Sequence, residues 1–132
     1  MKAVLDTNIF VSALALPGGQ AEKAIVHAAQ GSFDLVISKP IIHEVLGVLS
    51  RKFDREAEEL SRVAVFLADL GSIARPRRKL RVLRDEPDNR ILECALAAHA
   101  ELIVTGDRTM LELGEFEGIR IVTLREFLDL LG

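Results

Sequence analysis

Four acids at the junctions of apolar runs are the residues of this chain best placed to do chemistry: Asp6, Glu44, Asp88 and Asp107. Asp6 directly follows Val4-Leu5, and Asp107 follows Leu102-Ile-Val104 across Thr105-Gly106, where glycine lets the backbone turn sharply. In open parallel sheets ligands sit beyond the carboxyl ends of the strands, so these two acids are expected at one sheet edge. Asp88 comes just after Pro87 and opens a helical stretch carrying Ile91, Leu92, Ala95 and Ala98. Glu44 lies near the start of a helix whose buried face is Ile41, Ile42, Val45, Val48 and Leu49. At roughly 100° per residue it falls at the border of that face, while His43 points to solvent. Each acid alone has an ordinary explanation. Asp88 or Asn89 serves as a helix N-cap, the strand-end acids cap or are solvated, and Glu44 pairs with an arginine. Convergence changes the odds, because gathered carboxylates repel and a fold brings them together chiefly to hold a hard divalent cation. Mg2+ or Mn2+ suits such an oxygen set. Zinc does not, since Cys94, His27, His43 and His99 lack ligand spacing.

The elements that must position these acids are legible as alternating runs. Lys2–Leu5, Leu35–Ile37, Leu102–Val104 and Arg120–Val122 are short and continuously apolar, as in strands covered on both faces, with Ser72–Ala74 a weaker fifth. Helical patterns occupy roughly Ala21–Gln30, Pro40–Arg51, Arg55–Leu70, Asn89–Ala100 and Leu124–Leu131. Breakers fall between them, at Pro17-Gly18-Gly19, Gly31, Gly71, Pro87, Gly106 and Gly118. Alternation of this kind implies right-handed crossovers, hence a three-layer α/β/α sandwich around four or five mostly parallel strands. Leu124, Phe127, Leu128 and Leu131 form the stripe that docks the last helix.

Length and composition set the bounds. The 132 residues make one domain, 1–132, and an apolar share of 49% is ample for a packed core, which excludes disorder. One cysteine forms no internal disulfide, pointing to a reducing compartment, and no apolar run approaches the ~18 residues of a membrane span. The first residues read as a strand rather than a signal peptide, so a cytoplasmic location is expected. The net charge, 17 − 20 = −3, excludes a nucleic-acid binder whose whole surface is basic. It leaves room for a nuclease whose acids are concentrated at its site.

Taken together, the motifs resemble the PIN domain family, small metal-dependent ribonucleases that include the VapC-type toxins. The matching pieces are Val4-Leu-Asp-Thr-Asn-Ile9, Val11-Ser-Ala-Leu14, Ser38 through Glu44, Arg84 through Ala95, and Leu102-Ile-Val-Thr-Gly-Asp107. The resemblance implies that Asp6, Glu44, Asp88 and Asp107 are the acidic quartet, catalytic and metal-binding, with Asn8 and Thr105 as supporting polar residues. It implies Mg2+ or Mn2+ as cofactor, RNA as substrate, products with a 5′-phosphate and a 3′-hydroxyl, a cognate antitoxin as partner, and a homodimer. One departure stands out. Similar sequences read Asp-Pro-Asp-Asp-Asn where this one reads Asp85-Glu86-Pro87-Asp88-Asn89. Counting back from Asn89 keeps Asp88 as the ligand and leaves Asp85 and Glu86 at the rim.

Two features remain open at this level. The basic stretch Arg75 through Arg84 is either an RNA-binding strip, through Arg77, Arg78, Lys79 and Arg81, or a solvated connector balancing local acids. With no Trp or Tyr, base stacking is not the main recognition mode. Val63, Phe66 and Leu67 look like spare apolar residues for an oligomer contact. Other α/β classes with an acid after the first strand fit poorly. A phosphoaspartate receiver lacks its third-strand Asp and late Lys, and Asp6-Thr7-Asn8 breaks the Asp-x-Asp of a haloacid-dehalogenase phosphatase. A PIN-like module that binds RNA or protein without cutting is the remaining alternative.

Overall fold

The apolar runs pair side by side in the computed structural model, which describes all residues 1–132. The strands are β1 (Lys2–Leu5), β2 (Asp34–Ile37), β3 (Ser72–Ile73), β4 (Leu102–Val104), β5 (Glu115–Phe116) and β6 (Ile119–Val122). They lie in the order β3-β2-β1-β4-β6-β5, parallel throughout except for the β5–β6 hairpin. The sheet therefore has six strands rather than four or five. The extra one is a two-residue strand returned by Glu117 and Gly118, both at positive φ, and is too short to show a pattern. Val4 lies opposite Val36 on one side and Ile103 on the other, so the middle of β1 is wholly buried.

The helices are α1 (Thr7–Ala15), α2 (Gln20–Ala29), α3 (Lys39–Phe53), α4 (Ala57–Leu70), α5 (Glu86–Ala98), α6 (Arg108–Leu113) and α7 (Leu124–Leu131). The chain steps from β1 to β2 to β3 in one direction and then returns to β4, so right-handed crossovers put α5 on the opposite face from α1–α4. Packing agrees: α1 lies on α2 and α3, α3 on α4, and α5 on β1, β2 and β4. Helix α1 escapes sequence periodicity because Ile9, Phe10, Val11 and Ala13 are all buried, leaving no polar stripe to read. In α7, Phe127 is fully buried and meets Phe33 edge to face at 4.8 Å, while Leu124, Leu128 and Leu131 are half-buried around it.

Two expectations need correction. Leu67 is fully buried in the core and is not spare, although Phe66 beside it is exposed. Gly106 has an ordinary φ, and a Cβ there would touch nothing, so the turn into Asp107 does not require glycine. Gly71 does: a Cβ at that position would stand 2.5 Å from the Leu35 carbonyl oxygen, so its absence lets α4 run into β3 against β2. No helix is long and apolar enough to cross a membrane.

Candidate functional site

The strand ends deliver the acids. Asp6 leaves β1 almost fully buried, at 4% exposure, and its backbone N–H donates to the Val104 carbonyl of β4 at 2.9 Å. It stands at the N-cap of α1, yet its carboxylate makes no capping bond. Instead Oδ2 accepts a 2.6 Å hydrogen bond from the Thr105 hydroxyl. The same Thr105 Oγ1 accepts from the Asp107 N–H at 2.9 Å, so one fully buried threonine fixes both acids across the β1–β4 seam. Asp107 does cap its helix, since Oδ2 accepts from the Met110 N–H at 3.1 Å, which leaves Oδ1 for other work.

Asp88 approaches from the other layer, half-buried in the first turn of α5. Its carboxyl is pushed up to about 7, first by burial and then by the charges of Asp107, Asp6 and Asp85, with the nearby Asp107 carboxylate also favouring the protonated form. Burial likewise raises Asp6, opposed by its hydrogen bonds from Thr105 and the Thr7 amide, and reinforced by the Asp107 charge. Three carboxylates thus share one electrostatic site. Glu44 does not join them here. Its half-exposed carboxylate lies 3.9 Å from Arg51 Nη2, and Arg51 reaches it across Gly47, where a Cβ would stand 2.8 Å from Nη1. Asn8 is exposed in the first turn of α1.

The start of α5 differs from expectation. The N-cap is Asp85, neither Asp88 nor Asn89, and Pro87 sits in the first turn, where its missing N–H costs nothing. Asn89 is fully buried and braces the incoming chain. Its Oδ1 accepts from the Val82 and Leu83 amides at 3.0 and 2.8 Å, and its Nδ2 donates to the Leu83 carbonyl at 2.8 Å. Four residues on, buried Glu93 accepts from the Leu80 amide at 2.7 Å and is ion-paired with Arg90 at 2.9 Å. Arg90 also engages Glu86 at 3.1 Å, so Asp85 is the rim acid whose charge reaches Asp88. Sequence reasoning passed over this brace, although a glutamate inside Ile91-Leu-Glu-Cys-Ala95 was its signal. Asn89→Ala should lower the unfolding free energy by about 1–3 kcal/mol, because two half-buried amides lose their acceptor. Chemical denaturation checks this, and a wild-type midpoint would mean that Glu93 alone holds the segment.

A family model described as PIN domain matches residues 2–109, which spans every acid of the candidate site. The chain belongs to the PIN domain family. It is 28% identical over 117 residues to the uncharacterized protein MJ1680 of Methanocaldococcus jannaschii, covering 86% of this chain and 75% of that protein. Its fold is similar to a chain in the crystal structure of VapBC2 from Rickettsia felis bound to a DNA fragment from their promoter. That match has a TM-score of 0.69 and 18% identity, and covers 93% of this chain and 98% of the other. It is similar also to a chain of VapBC-1 from nontypeable Haemophilus influenzae, with a TM-score of 0.66, 17% identity, and coverage of 95% and 99%. At such identity these likenesses speak for the fold.

For this PIN domain, the donor set suits a hard cation: carboxylate oxygens only, with a crowding that a divalent charge would relieve. No three His, Cys, Asp or Glu side chains are yet arranged as a coordination shell, so side-chain rotation about Asp6, Asp88 and Asp107 would be needed to form one. Nucleophilic cysteine chemistry has no support, since burial pushes the Cys94 thiol up to about 12. The histidines sit elsewhere in the architecture: His27 is hydrogen-bonded to Ser32 at 3.0 Å, His43 is exposed, and His99 ends α5 at a φ of 55°. Of the basic strip, Arg77, Arg78 and Lys79 line one cavity of about 720 Å³, together with Lys39 and Arg75. Arg81 is not part of it.

Proposed function

We propose that this PIN domain hydrolyses RNA phosphodiester bonds with Mg2+ or Mn2+, as the toxin of a toxin–antitoxin pair. The observation that carries the reading is the Thr105 bridge between Asp6 and Asp107, with Asp88 brought against both from a different layer. Scattered capping acids do not need a buried threonine to hold them together. Asp6, Asp88 and Asp107 would hold the cation, and Glu44 would complete the set on leaving Arg51. Bound there, such an ion supplies an acidified water and charge neutralisation at the phosphate. Thr105 keeps the Asp6 carboxylate aimed outward from β1, and the cap to Met110 fixes one Asp107 oxygen so that the other is presented. Asp88, raised in the metal-free site, would be held as a carboxylate by a bound cation. Membership of the PIN family supports hydrolysis at the coarse level, and the likeness to VapBC chains supports an antitoxin partner.

The test is cleavage of mixed single-stranded RNA by purified protein. Cleavage should require added Mg2+ or Mn2+ and disappear with EDTA. RNA that is retained but uncut in either metal would favour the binding-module alternative.

A further inference from the structure

The cavity between the 74–79 segment and α5 takes no part in the carboxylate site, yet it opens at the same end of the sheet. Lys39 and Pro40 follow β2, and Ile73 and Ala74 end and follow β3. Asp6 and Asp107 follow β1 and β4, and these four strands are parallel neighbours in the order β3-β2-β1-β4. Strands lie about 4.8 Å apart, so the ends of β2 and β3 at the cavity mouth stand roughly 5–15 Å along the edge from those that carry the acids. We infer that this cavity is a phosphate subsite, binding a backbone phosphodiester of the RNA strand a nucleotide or two from the one cut. This rests on the nuclease reading above and gives it a substrate-positioning site.

Charge carries the inference. Lys39, Arg75, Arg77, Arg78 and Lys79 line the cavity, in a chain whose net charge is −3. Its one acid, Glu93, is already engaged by Arg90 and the Leu80 amide. A sixth cation of the lining, Arg90, is held by Glu86 and Glu93; of the other five only Arg78 makes an ion pair, an exposed one to Glu117 at 3.7 Å, and such pairs contribute little. A connector that merely balanced neighbouring acids would be paired with them. Here Lys39, Arg75, Arg77 and Lys79 have no acidic partner. The positive end of the 15-residue helix α3 lies at the mouth and adds to the same field.

The lining also says what is recognised. No aromatic side chain faces the cavity, so bases have nothing to stack on, and binding is tolerant of sequence. Arg75, Arg77, Arg78 and Lys79 are exposed, which suits a strand tracked by its backbone better than a small anion enclosed on all sides.

The experiment measures binding of a short fluorescent single-stranded RNA by anisotropy in EDTA, between about 50 and 200 mM salt. The variants are Arg77→Gln/Lys79→Gln and, as control, Arg62→Gln on α4. Removing two phosphate contacts should flatten the slope of log affinity against log salt by about 1.4, at roughly 0.7 per contact on a single strand. In the cleavage assay with metal, KM should rise for the double variant while kcat stays at the wild-type value. A slope equal to that of Arg62→Gln overturns the subsite. So does saturation by inorganic phosphate alone with no gain from added RNA length, which marks a small-anion site. The two readings fail separately. A flattened slope with no cleavage by any form keeps the subsite and discards hydrolysis, whereas normal cleavage with an unchanged slope does the reverse.

Discussion

Asp6→Asn, Asp88→Asn and Asp107→Asn should each slow RNA cleavage by about 10²- to 10⁴-fold while leaving a folded protein, a loss of roughly 3–5 kcal/mol of transition-state stabilisation. Each change removes a charged ligand and keeps the shape of the side chain. The local hydrogen bonds survive as well, because an amide oxygen can still accept from Thr105 at position 6 and from the Met110 N–H at position 107. Activity would therefore fall for want of charge rather than of structure. Rim acids should behave differently. Asp85 is exposed and acts on Asp88 only through its charge, and Glu86 is occupied by Arg90, so Asp85→Asn and Glu86→Gln should cost only a few-fold. Glu44→Gln falls between the two groups if Glu44 leaves Arg51 to bind metal, and with the rim acids if it does not. Initial rates on a fluorogenic RNA in excess Mg2+ decide the ranking. If Asp88→Asn keeps its rate while Asp85→Asn loses it, the ligand is one turn earlier than counting back from Asn89 places it.

What could be read from sequence divides along a physical line. An acid close behind a run buried on both faces has one place to go, the carboxyl end of its strand, so one sheet edge for Asp6 and Asp107 follows from order alone, whereas their meeting needs β1 beside β4. The direction of Glu44 is another matter. Its pairing with Arg51 depends on a long side chain folding back over Gly47, a choice made by side-chain space rather than by helical period. The boundary of α5 was misplaced because Pro87 reads as a breaker when it is a first-turn residue, and because Asn89 acquires its role only when residues 80–84 fold back onto α5. The basic strip was visible, but Lys39 is distant in sequence, and only the adjacency of β2 and β3 brings it to Arg75 and Lys79. Neither α6, with six residues, nor β5, with two, is long enough to carry a period.

In EDTA the folded protein should lose stability as pH rises from about 4 to 7 and change little above that. Asp88 titrates near 7 in the folded state, against an ordinary value of 3.8, and Asp6 is raised as well. Between those limits the folded form binds more protons than the unfolded one, so the stability present at low pH is lost as pH climbs through the folded-state value. Taken at face value the Asp88 shift would amount to about 4 kcal/mol. The group is half-buried, however, and solvent and salt screen its neighbours, so about 1–2 kcal/mol is the reasonable expectation. That corresponds to a melting temperature lower by about 3–10 °C for a domain of this size. Asp88→Asn abolishes most of the fall and should melt above the wild type in EDTA at about pH 8, where the removed charge was repelled by Asp107 and Asp6. Mg2+ or Mn2+ should then raise the wild-type melting point at about pH 8 more than at about pH 5, since protons compete for the same oxygens, and should raise the variant less. A purely capping Asp88 makes the opposite forecast, because losing a cap costs about 1 kcal/mol with or without metal. Thermal melts of both proteins across that pH range, with and without metal, separate the two. A wild type indifferent to pH and to metal, beside a variant that melts lower, would dissolve the cluster into ordinary helix-end acids.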